Sequence, residues 1–194
     1  MARPRSEEAR RRAVEAAVDA MLLLGVEGTT VEEIAARSGV AKSTIYRHFG
    51  TREQLLAEAI RSCIVEQPTP DTGTLGDDLT QLFGRYDDSE ETKRLNELFP
   101  MLIDAARRDP GMKAVLDTLV LERQRPMRTI LKLAQGRGEI DPALDLDTAA
   151  AILIGPFTYR RMVQGAEITD DFVATVVRSA TTALLATGNG GQRA

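Results

Sequence analysis

Six side chains that donate hydrogen bonds or carry positive charge stand within seven residues: Lys42, Ser43, Thr44, Tyr46, Arg47 and His48. Hydroxyls, an ammonium, a guanidinium and an imidazole gathered on one face suit phosphate oxygens and base edges. They do not suit catalysis. Ser43 and His48 are five residues apart on one helical pattern, and no acid is placed to orient the ring. His48 is the sequence's one histidine and has no cluster of His, Cys or carboxylates beside it, which argues against a metal site. Its other reading is a polar surface histidine. Cys63 is the one cysteine, so no internal disulfide can form. A small buried hydrophobe is its expected role, because Arg61, two residues away on a helix, points elsewhere. No nucleophile–base pair and no phosphate-cradling glycine loop is present, so neither an enzyme nor a cofactor is expected.

The elements that must hold these side chains can be read around them. Ile45 and Phe49, four residues apart, form an inner stripe that turns the polar set outward, on a helix from about Ala41 to Phe49. Val31, Ile34 and Ala35 form the stripe of a preceding short helix, and Ser38-Gly39-Val40 the break between them. That is a helix-turn-helix, whose second helix enters the major groove. Thr30 with Glu33 and Thr51 with Gln54 predict two capping boxes. Ala41 gives the second helix no side-chain N-cap. A first helix spans Ser6 to Leu24, with Gly25 as its C′ residue. A fourth spans Arg52 to Val65. Arg10-Arg11-Arg12 reads either as a solvated helix start or as a flexible arm reaching DNA.

Net charge is −4, which alone would disfavour a nucleic-acid binder. Its distribution matters more: residues 1–12 hold five arginines against two glutamates, while residues 62–194 hold 15 Lys/Arg against 20 Asp/Glu. A small basic end on an acidic body fits contact with DNA through one face. No apolar run reaches the ~18 residues that span a bilayer. The first apolar run is too short for a signal peptide, so a cytoplasmic protein with no membrane partner is expected.

Beyond the Pro/Gly-rich stretch Glu66–Thr74 the patterns remain helical. They predict helices at about 75–86, 90–108, 110–135, 147–163 and 169–185, with kinks at Pro100 and Pro126. The fold expected is all-α, with about nine helices.

The string Thr29-Thr30-Val31, Ile34-Ala35, Gly39-Val40, Lys42 to Phe49 and Leu55-Leu56 resembles the DNA-binding domain of the TetR family of transcriptional regulators. The Tyr-x-His-Phe end of the second helix carries most of that likeness. It covers about the first third of the chain. The resemblance implies an N-terminal three-helix DNA-binding domain, residues 1–52, and a ligand-binding and dimerisation domain, 53–187. The helix 52–65 would connect them, and 188–194 would be a disordered tail. It also implies a repressor that binds a palindromic operator in double-stranded DNA as a homodimer and is released by a small-molecule effector. Thr30, Lys42, Ser43, Thr44, Tyr46, Arg47, His48 and Arg52 would contact DNA, Arg52 standing where the family usually has lysine. Phe83, Tyr86, Phe99, Leu102, Leu119, Met127, Phe157 and Tyr159 are the candidates for an effector pocket, against the plainer reading as core. Ala150 and Gly155, with Val173, Val177, Ala180 and Leu184, are the candidates for a four-helix dimer interface, again with core as the plainer reading. A constitutive DNA-binding dimer, whose body serves only dimerisation or protein contacts, is the second reading.

Overall fold

The computed structural model describes residues 3–65, 68–84 and 89–188. Among these the regular structure is entirely helical. The elements are α1 (Arg3–Gly28), α2 (Val31–Ser38), α3 (Lys42–Phe49), α4 (Arg52–Arg61), α5 (Leu75–Phe83), α6 (Glu90–Ala106), α7 (Pro110–Gly136), α8 (Leu146–Thr158) and α9 (Asp170–Gly188). A π-helical turn, Tyr159–Val163, continues α8. The all-α expectation holds. Of residues 188–194, read as a tail, Gly188 is the last residue of α9 and 189–194 lie outside the described residues.

Packing groups the helices into two units. The first comprises residues 1–66 and 88–122, the second residues 67–87 and 123–194. The chain therefore leaves its first unit after α4, contributes α5 to the second, and returns with α6. A cut at residue 52 does not follow this packing, since α4, α6 and the first half of α7 share a core with the N-terminal helices. That core is Ala13, Ala17 and Met21 of α1, Ile34, Ile45, Leu55, Leu56 and Ile60, together with Leu98, Leu102 and Leu119. The second core is built from Leu75 and Leu79 of α5, Met127, Ile130 and Leu131 of α7, Leu153 of α8, and Val173, Val177 and Leu184 of α9.

Local chemistry sets the ends. Gly25, at φ 72° and ψ 170°, interrupts α1 where its C′ role predicts. Gly39 takes the left-handed conformation (φ 65°) and its amide closes α2 on the Ala35 carbonyl at 3.0 Å. Asp109 caps α7 ahead of Pro110, its Oδ1 accepting from the Gly111 amide at 2.7 Å. Thr169 caps α9 through the Phe172 amide. Asp145 caps α8 through the Thr148 amide at 2.8 Å. Helices α6 and α7 run on through Pro100 and Pro126, each without one amide bond.

The second unit has a polar anchor. Asp78 is fully buried and accepts from the Thr72 hydroxyl at 2.8 Å and from Arg137 Nη2 at 3.0 Å. Glu139 pairs with Arg137 and also accepts the Leu75 amide, at 2.7 Å, at the start of α5. Burial alone would raise the Asp78 carboxyl. The Thr72 amide and hydroxyl, then the Arg137 guanidinium, outweigh it and hold the group below the usual aspartate range.

Candidate nucleic-acid interface

The outer face of α3 rests on two buried side chains, Ile45 (1% exposed) and Phe49 (8%). They fix its roll, so Lys42, Ser43, Tyr46 and Arg47 are exposed and Thr44 and His48 half-buried. Both ends of the helix are set by glycine. Gly39 turns the chain into it. Gly50, at φ 78°, ends it with its amide on the Tyr46 carbonyl at 2.8 Å. A Cβ on Gly50 would lie 2.5 Å from Gln54 Oε1. That oxygen is needed elsewhere: it accepts the Thr51 amide while Thr51 Oγ1 accepts the Gln54 amide, both at 3.2 Å. The second predicted capping box is complete.

The first box is half-formed. Thr30 Oγ1 accepts the Glu33 amide at 3.1 Å, leaving Thr30 as the exposed N-cap of α2. The Glu33 carboxylate instead takes Arg37 Nε at 2.6 Å, an i, i+4 pair that competes with the return bond. Ala41, as expected, supplies no side-chain cap to α3.

The electrostatics of the row are uneven. Lys42 Nζ lies 2.8 Å from Glu32 Oε1, which raises the lysine's pKa and lowers the glutamate's through that hydrogen bond. Arg47 has no carboxylate within ion-pair distance among the described residues. His48 Nε2 and Ser6 Oγ share a hydrogen bond of 3.2 Å, tying the ring to α1. Arg10 pairs with Glu58 and lies 5.9 Å above the Phe49 ring, while Arg11 pairs with Glu8 and Glu15. These arginines belong to a helix, which removes the flexible-arm reading. Arg52 also departs from its expected place. Its Nε donates to the Thr29 carbonyl at 2.7 Å and its Nη2 to the Val26 carbonyl, so two donors face inward.

Residues 13–59, which contain α2, α3 and most of α4, match the profile described as bacterial regulatory proteins, tetR family. Residues 69–180 match that of the tetracyclin repressor-like C-terminal domain. The chain belongs to the TetR family. It is a DNA-binding transcriptional regulator of helix-turn-helix type and not an enzyme. Among its relatives, the uncharacterised HTH-type transcriptional regulator YdeS of Bacillus subtilis (strain 168) is 29% identical over 184 residues, 92% of this chain and 90% of YdeS. A solved Rhodococcus sp. structure described as a TetR-family transcriptional regulator superposes with a TM-score of 0.70 at 22% identity, covering 92% of this chain and 99% of that one. The multidrug binding protein EbrR, solved with proflavin, superposes with 0.57 at 18%, covering 89% and 99%.

The TetR-type body redistributes the remaining candidates. Leu102 and Leu119 are core of the first unit, and Phe99, half-buried on α6, belongs to that unit as well. Met127, Phe83 and Phe157 pack in the second unit, where Phe83 and Phe157 stack with centroids 4.8 Å apart. Phe172 meets Phe157 edge-on at 5.7 Å, with the Arg160 guanidinium 4.5 Å from its own centroid. Tyr86 lies outside the described residues. Tyr159 is 56% exposed and borders an open groove of about 550 Å³ with Ala150, Ala151, Ile154 and Gly155. Of the interface candidates, Ala150, Val173, Val177, Ala180 and Leu184 are at most 6% exposed within one chain. Val173, Val177, Ala180 and Leu184, three or four residues apart, mark the inward stripe of α9, and Ala150 is buried on α8; all five are core, and only Gly155 is exposed. The residues that sequence reasoning passed over are Ile152 (41%) and Val163 (69%), exposed with Tyr159. The signal was available: apolar residues off the core stripe.

Proposed function

We propose that this regulator is a repressor that binds a palindromic operator as a homodimer in the cytoplasm and is released by a small-molecule effector. The observation that carries the DNA reading is the exposed row Lys42, Ser43, Tyr46 and Arg47 over buried Ile45 and Phe49. Thr30, Thr44 and His48 flank it. Arg47 reads base edges and adjacent phosphate, and Thr30 presents the N-terminus of α2 to phosphate. Lys42 exchanges Glu32 for a phosphate on binding. Two copies of α3 are needed because one reads few base pairs, and half-sites one helical turn apart require a two-fold dimer.

The dimer surface is the outer side of α8 and its π-helical turn: Ile152, Gly155, Tyr159 and Val163. Clustered exposed apolar side chains on a chain of this size favour burial against a second copy. The effector seat draws on the half-buried stack Phe83–Phe157 and on Met127, which suit a planar or amphipathic molecule. An effector that prefers the DNA-incompetent state shifts the population. A constitutive dimer is the second reading. What favours it is that Phe99, Leu102 and Leu119 fall in a different unit from Phe83, Met127 and Phe157. Selection of duplexes from a randomised pool by the full chain, followed by an effector screen on the selected duplex, tests both. An enriched palindrome is expected. Failure to enrich any sequence sinks the operator, and enrichment insensitive to a broad screen leaves the constitutive reading.

A further inference from the structure

Arg52 sits in the first turn of α4, yet its guanidinium is turned to the end of α1. Val26 and Thr29 are 3% and 0% exposed, and α1 is interrupted at Gly25 just before them. Their carbonyls have left the regular helix and need donors, because a buried unpaired carbonyl is costly. The Thr29 amide reaches Val26 only at 3.3 Å, and the Thr29 hydroxyl is committed to the Gly25 carbonyl at 2.8 Å. Arg52 supplies the remaining donors, Nε to Thr29 and Nη2 to Val26. A positive charge at the end of α1 also suits its dipole. The third nitrogen of the guanidinium, Nη1, pairs with Glu53 Oε1 at 3.6 Å. Arg52 borders a recess of about 250 Å³ lined by Val26, Glu27, Ala105, Asp109 and Met112, and by no residue of α3.

We infer that Arg52 is a positioning residue for DNA binding: it acts through Thr30, by clamping the Val26 and Thr29 carbonyls, and does not itself contact phosphate. Thr30 is the next residue after Thr29 and is the N-cap of α2. The clamp therefore fixes where α2 begins relative to α4, within the unit that carries α3. A lysine would keep the charge but not the fork, since one ammonium lacks the rigid pair of donors that spans two carbonyls. The inference rests on the DNA reading above.

The test uses the full chain, the duplex selected from a randomised pool, and the variants Arg52→Gln and Arg52→Lys. Binding is measured across a salt series, and amide hydrogen exchange on the free protein. Both variants are expected to bind about tenfold more weakly at every salt, with the wild-type slope of log affinity against log salt. The Glu33 amide, bonded to Thr30, is expected to exchange faster in both, while the amides of Leu55 to Ile60 keep their protection. A slope lower by about 0.9 in Arg52→Gln, with Arg52→Lys close to wild type, would mean a lost phosphate contact and overturn the inference. So would unchanged affinity in both. If wild type selects no duplex, the DNA reading fails by itself. Exchange at Glu33 then decides the clamp, faster supporting it and unchanged refuting it.

Discussion

Arg47 is the exposed cation of α3 that no carboxylate holds among the described residues, so in the proposed DNA reading it would reach the duplex without first breaking an ion pair. Arg47→Ala is expected to weaken selected-duplex binding by about 1–3 kcal/mol. Tyr46→Phe loses one hydroxyl and should cost about 0.5–1.5 kcal/mol. Fluorescence anisotropy with both variants, each checked for unchanged thermal unfolding, measures this. Equal affinity in both would remove the recognition-helix assignment. Gly50 carries a different burden. Alanine there must adopt φ near 78° and displace Gln54 Oε1 from 2.5 Å. The backbone cost is roughly 1–2 kcal/mol, and the disturbed cap adds to it. Gly50→Ala is expected to lower the unfolding midpoint by several degrees, whereas Gly136→Ala, with open space around it, is not. Such local chemistry was legible in the sequence because a cap or a left-handed turn depends on residues three or four apart. Arg52 was not, because its partners lie 23 and 26 residues away.

At the scale of elements, α5 is held by the Asp78–Arg137–Glu139 anchor rather than by its own nine residues, which are too few to be stable alone. The pH dependence follows from the lowered Asp78 carboxyl. A group whose folded pKa lies below its unfolded value stabilises fully above about pH 4 and loses that contribution as pH falls through the folded value. Asp78→Asn should therefore be less stable than wild type at pH 7, by roughly 2–3 kcal/mol for weakened charge-assisted bonds. The gap should close as pH falls below about 4. Urea unfolding at pH 7 and pH 3 measures it, and a gap independent of pH would show that the buried charge is not the cause. Periodicity predicted most helices within a few residues but ran α8 straight to residue 163. The chain instead forms a π-helical turn there, with the Gln164 amide on the Tyr159 carbonyl at 3.1 Å, three residues after Pro156. A hydrophobic pattern does not distinguish a four-residue hydrogen-bond step from a five-residue one.

For the whole molecule, the proposed dimer turns on which apolar residues a second copy would cover. Reading α9 from sequence, small and branched residues at helical spacing look alike whether they face their own core or a second copy. The burial of Val173, Val177, Ala180 and Leu184 within one chain separates the two cases, and the exposed set moves to Ile152, Tyr159 and Val163. The two sets predict opposite phenotypes. Tyr159→Glu or Ile152→Glu places a carboxylate on the surface of the monomer at little cost to its fold, but buries an unpaired charge in a dimer. Each is expected to raise the dimer dissociation constant at least a hundredfold and to abolish binding to a palindrome, while a monomer with helical circular dichroism remains. Val177→Ala leaves a cavity in the core and should lower unfolding stability by roughly 1–3 kcal/mol, with the dissociation constant nearly unchanged. Sedimentation over a concentration series, with urea unfolding in parallel, reads both quantities. If Val177→Ala dissociates the protein and Tyr159→Glu does not, the pairing surface is on α9 and the outer face of α8 is free for another use.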